Sequence, residues 1–176
     1  MNISNILTTA LKTLNEIAPG FDPLKDHRAG DTVKGSSRFN DTIKDINDVI
    51  VLAEHADFYA MQPGFGGAVC LIFQAAGVVG VATTVETIED EDYELRLHHG
   101  CLQPFGDVQE VRRDAKLFSI VLTPEKTANG IEYALASAYP GRPDEPPKDE
   151  DREGLSEGQR LSAAEVKRRG LRPKQA

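Results

Sequence analysis

Residues 117–140 read LFSIVLTPEKTANGIEYALASAYP, and this stretch decides the fold. Leu117–Thr123 is a run of apolar and β-branched residues, and Ile131–Tyr139 alternates large side chains with alanine at most intervening positions. Asn129-Gly130 between them is a hairpin signal, because a tight turn between antiparallel strands needs residues that tolerate positive φ. Period-two spacing places Ile131, Tyr133, Leu135, Ser137 and Tyr139 on one face of the last strand.

Working backward, further strands are expected. Tyr93–His99 alternates, with Tyr93, Leu95, Leu97 and His99 on one face and Glu94, Arg96 and His98 on the other. Residues 66–85 carry no charge over a length that could span a bilayer. Gln74, several glycines and many β-branched residues, with acidic Glu89–Asp92 crowding one end, instead indicate two buried strands, Ala68–Gln74 and Val78–Ile88, and no membrane segment.

The N-terminal part has the other period. Ile3, Ile6, Leu7, Leu11, Leu14 and Ile17 recur at three- and four-residue steps, so residues 3–18 form an amphipathic helix stopped by Pro19-Gly20. Residues 40–58 repeat that spacing through Ile43, Ile46, Val49, Ile50 and Leu52, with Asn40 or Asp41 as cap. Pro63–Gly67 is then a flexible turn. Two helices followed by an antiparallel meander is an α+β layout, with the N-terminal helices packed on one sheet of about five strands.

Beyond Pro140 the composition changes. Residues 143–158 are rich in proline and acids with little to bury, which reads as a disordered linker. Ser162-Ala-Ala-Glu165 is a capping-box pattern opening a short helix in a basic tail, residues 159–176. The expected organisation is one α+β domain over residues 1–142, the linker, and the tail.

At 176 residues the chain is long enough for one well-buried core. Its net charge of −8 and pI near 5.0 exclude a protein that coats nucleic acid non-specifically, which needs a broad basic face. Cys70 and Cys101 do not make a disulfide scaffold, and with no apolar leader the expected location is cytoplasmic.

The proton-handling residues concentrate in 93–142. His98 and His99 titrate near neutral pH and can serve as acid or base. On a strand they point to opposite faces, so one of them at most enters a given cleft. Arg112, Arg113 and Lys116 form a dense basic group suited to phosphate, with Ser137 and Tyr139 on the final strand as further candidates. No metal is expected: His98-His99-Gly100-Cys101 lacks a second ligand pair, and His27 and His55 are lone and distant. Gly64–Gly67 lacks the lysine of a phosphate loop and the spacing of a dinucleotide turn, so no cofactor is expected either.

Ser137-Ala138-Tyr139-Pro140, ending a helix-then-sheet layout, resembles the terminal strand of small toxin and phage RNases of the barnase–EndoU–colicin–RelE superfamily. The resemblance covers roughly residues 65–140 in layout and only those four residues in letters. It implies metal-independent cleavage of RNA. A histidine, His98 or His99, would take the proton from the attacking 2′-hydroxyl. Arg112, Arg113 or Lys116 would offset phosphoryl charge, while Ser137 or Tyr139 would orient the phosphate. The strong acidity and the absence of a His-x-x-Lys signature depart from that pattern. They suit the alternative, a non-enzymatic immunity, anti-defence or phage accessory factor that contacts a protein partner.

Overall fold

The computed structural model describes residues 2–31, 36–87, 94–98, 101–105, 108–143 and 154–170. The chain divides into two compact units. One comprises Met1–Thr83 with Arg113–Glu145, the other Thr84–Arg112 with Pro146–Ala176.

The first unit opens with helix α1, Ile3–Ile17, whose first turn is capped by the Asn2 side chain accepting from the Asn5 amide at 3.3 Å. Leu7, Ala10 and Leu14 form its buried stripe. Helix α2 runs Ile46–His55, shorter at both ends than the apolar spacing suggests. Its cap is Asp45, not Asn40 or Asp41. The Asp45 carboxylate accepts from the Asn47 and Asp48 amides, and the Asp48 carboxylate accepts back from Asp45. Asn40 is occupied elsewhere, its amide donating to the Val79 carbonyl at 2.9 Å. The helix stops at His55 because Asp57–Pro63 is strand β2, within what reads as helix and turn.

Helices α1 and α2 cover one face of a four-stranded antiparallel sheet. Its strands are β2, β3 (Val69–Gln74), β8 (Leu117–Thr127) and β9 (Gly130–Pro140), in the order β2-β3-β8-β9. Leu71, Phe73, Phe118, Ile120, Leu122, Leu135 and Ala138 meet Leu7, Val49 and Ile50 of the helices in one core. The hairpin pairs Thr127 with Gly130, so its two-residue loop is Ala128-Asn129, and Gly130, at φ +115°, opens β9.

One bulge changes the faces of β9. Val121 pairs with Ser137 but Leu122 pairs with Leu135, leaving Ala136 as the extra residue. Beyond it the alternation shifts, so Ala138 returns to the core side. Ser137 and Tyr139 therefore leave the Leu135 face on which simple alternation places them.

The remaining strands form two smaller sheets, where one sheet of about five strands was expected. β1 (Arg38–Phe39), β4 (Gly80–Thr87) and β7 (Val108–Ala115) are ordered β1-β4-β7; β10 (Arg160–Leu161), β5 (Glu94–His98) and β6 (Cys101–Phe105) are ordered β10-β5-β6. The strands of the meander part company after Gln74, where β3 stays with β8 while Gly80 pairs with Phe39. That approach requires glycine: a Cβ at Gly80 would lie 2.2 Å from the Arg38 carbonyl oxygen.

The second unit contains the small core of Leu95, Leu161 and Val166, all fully buried, with Leu155 against it. Leu161 pairs with Leu95, and Val166 belongs to helix α3, Ala163–Arg169. The division expected at residue 142 differs from this one because Leu155, Leu161 and Val166 have something to bury against. Ser162 accepts from the Glu165 amide at 3.3 Å at the start of α3, half of the anticipated capping box. Among the described residues no helix is long and apolar enough to cross a membrane.

Candidate functional site

The expected site residues divide between the units. His98 is the last residue of β5 and pairs with Cys101; His99 lies outside the described residues. Arg112 is exposed on the part of β7 in the second unit. Arg113 is exposed on β7 and Lys116 in the turn between β7 and β8, both in the first unit. Ser137 and Tyr139 are half-buried on β9, opposite Val121 and Ser119, on the sheet face turned away from the helices.

Tyr139 has an aromatic neighbour that sequence spacing does not reveal. The His27 ring lies 5.5 Å from the Tyr139 ring, inclined 38°. Its Nδ1 is 2.8 Å from the Ser37 carbonyl oxygen. A carbonyl only accepts, so Nδ1 carries the hydrogen, and in the neutral ring Nε2 is the acceptor. The preceding loop is fixed by Asp22, whose carboxylate meets Arg28 at 2.5 Å and accepts from the Leu24 amide at 3.0 Å. The bond from Arg28 holds the Asp22 carboxyl below its ordinary range, against an opposing effect of burial. The Pro23 carbonyl accepts from the Ala138 amide, tying this loop to β9.

The far side of the sheet carries a second feature. β2 is a terminal strand, and Phe58, Tyr59 and Met61 on it are 43, 50 and 63% exposed. A bulge between Phe58 and Ala60 leaves Tyr59 out of the ladder. The residues after β9 reach this strand. Ser119 donates to the Gly141 carbonyl at 2.7 Å, Gln62 Nε2 donates to the Pro143 carbonyl at 3.4 Å, and the Arg142 guanidinium lies 5.5 Å from the Tyr59 ring centre. Residues 141–143 thus form a strap running from β8 to β2.

Cys70 is buried on β3 and burial raises its thiol pKa, which keeps it a protonated, unreactive packing group. Among the described residues no three His, Cys, Asp or Glu side chains gather where they could hold a metal ion.

Composition and period placed Ser137 and Tyr139 on β9 but on the wrong face, and located neither His27 nor the β2 rim. The only available signal for the rim was the Phe58-Tyr59-x-Met61 cluster following a helical pattern. No protein-family model, no curated protein and no solved structure matches this chain.

Proposed function

We propose that this chain acts by protein–protein contact, taking a short extended segment of a basic partner along the outer edge of β2. The observation that supports this is the exposure of Phe58, Tyr59 and Met61 on a terminal strand. Unpaired backbone groups at a sheet edge offer hydrogen bonds to an added strand, and apolar side chains beside them give it specificity. Exposed aromatic and methionine side chains are enriched where proteins meet. Pro63 ends the edge and the bulge bends it at Tyr59, so the segment taken is short and the contact transient. The net charge of −8 favours a basic partner and speeds its approach.

The test places a photo-crosslinking residue at Met61 in the full chain, with a Phe58→Ser/Met61→Lys variant beside it. The expected result is a cross-link to an extended stretch of a basic protein, and loss of that protein from complexes of the variant. Retention of the same partner by the variant sinks the reading. Cross-links to a second copy of the chain alone would replace the basic partner by self-association.

A second reading, metal-independent RNA cleavage, is supported by the His27–Tyr139 pair. In that reading a histidine with a free Nε2 draws the proton from the 2′-hydroxyl. Tyr139 or Ser137 orients the phosphate, and Arg113 or Lys116 of the same unit offsets its charge. His27 is the candidate base beside Tyr139, and the His98/His99 pair is the alternative in a site of the second unit's own. Total RNA is incubated with the parent, a His27→Ala variant and a His98→Ala/His99→Ala variant, all in chelator. Loss of cleavage in one variant identifies the base, and intact RNA with the parent removes this reading.

A further inference from the structure

A cleft of about 280 Å³ lies where the C-terminal end of α2 meets the turn between β3 and β4. Its walls are apolar: Ile43, Leu52, Val78 and Val79 line it, and Ile43 and Val79 belong to the buried core. The rim is held in place. The Asn40 side chain donates to the Val78 carbonyl at 3.3 Å and accepts from both the Thr42 amide, at 3.3 Å, and the Thr42 hydroxyl, at 2.5 Å. With its own amide bonded to Val79, Asn40 ties the Thr42 side of the opening to the Val78 side. A rim fixed in advance lowers the ordering cost of taking a ligand.

His55 completes the lining. Its Nδ1 lies 2.9 Å from the Val51 carbonyl oxygen, so Nδ1 is the donor, and in the neutral ring Nε2 is the acceptor. No Lys, Arg, Asp or Glu lines the cleft, so a charged ligand of either sign would find no counter-charge in its walls. Apolar walls in turn disfavour a desolvated cation. The volume lies at the small end of the range for ligand pockets, roughly 300–1,000 Å³.

We infer that this cleft takes a small neutral ligand of the phenol class, an apolar ring whose hydroxyl donates to His55 Nε2. The inference is independent of the β2 edge and of RNA cleavage.

The test titrates the ¹⁵N-labelled full chain with 4-methylphenol, toluene or 4-methylbenzoate and follows amide and imidazole resonances. The expected result is a saturable shift confined to His55 and Ala76–Val79, with 4-methylphenol binding about five-fold tighter than toluene, the worth of one net hydrogen bond. 4-Methylbenzoate binds more weakly than either. His55→Phe brings 4-methylphenol and toluene to parity, and Ala76→Leu, which fills the mouth, abolishes the saturable shift for both. No saturable shift in the parent overturns the inference. So does parity of 4-methylphenol and toluene in the parent, or benzoate binding as tight as the phenol.

Discussion

Phe73 on β3 and Phe118 on β8 are directly opposed in the ladder, and their rings stack with centres 5.3 Å apart and planes 19° from parallel. The contact is the middle of a row. Phe39 meets Phe118 edge-on at 6.4 Å, and Phe58 meets Phe73 edge-on at 5.8 Å. Four aromatic rings therefore run from β1 through β8 and β3 to the half-exposed rim of β2. The same row that anchors the core also fixes one of the side chains proposed to meet a partner.

Truncating the row at its centre should be costly. Phe118→Ala is expected to destabilise the first unit by about 3–5 kcal/mol, since both the ring's transfer energy and a cavity are involved. Phe58→Ala, at the exposed end, should cost well under half of that. Urea unfolding followed by circular dichroism gives both values; equal costs would contradict the proposed gradient from core to rim.

Gly80 should tolerate no side chain. In Gly80→Ala the new Cβ would stand 2.2 Å from the Arg38 carbonyl oxygen and 2.7 Å from the Phe39 Cα, both backbone atoms. The strand must move, at a cost of about 1–3 kcal/mol or more. A thermal midpoint within a degree of the parent's would show that β1 is not held against β4 as described.

Asp22 gives the loop beneath His27 an acid sensitivity. Arg28 depresses its folded-state pKa below the ordinary carboxylate value of 3.8. Its contribution is thus present in full above that value and lost as pH falls through the depressed folded-state pKa. Asp22→Asn should lower stability at neutral pH and narrow to no difference from the parent at strongly acid pH. The unfolding midpoint measured against pH checks this, and a gap that widens on acidification would reverse the assignment.

The second unit should be separable in its response. Val166→Asp places an unpaired charge in the small core of Leu95, Leu161 and Val166. Amide hydrogen exchange is expected to accelerate in β5 and α3 while β3 and β8 keep their protection. Equal acceleration in both units would show that they unfold together.

The fold was legible where one period governed a segment. The apolar stripe of α1 followed from spacing alone, as did the alternation that buries Leu95 and Leu97, and the uncharged run gave β3 to within one residue. Legibility failed where tertiary partners outweighed the local pattern. Asn40 reads as a helix cap but is claimed by Val79, and residues 57–63 continue an apolar pattern yet pair with β3. The bulge at Ala136 has no sequence mark, so Ser137 and Tyr139 could not be assigned to the correct face. Of the candidate site, the Ser137–Tyr139 pair was readable on β9. His27 was not, because nothing in the spacing of a loop histidine indicates which distant strand it will meet.

The division into two units also sets an order of events. Hairpins β2–β3 and β8–β9 each join neighbours in the chain, whereas pairing Gln74 with Leu117 requires the whole intervening stretch to be looped out. Such closure is an entropic cost borne before the pairing is gained, so it governs the rate. The β3–β8 seam, with Phe73 on Phe118 one pair from its end, is therefore the step at which two preformed hairpins dock. In pulse-labelled hydrogen exchange its amides should gain protection after those of the β8–β9 turn.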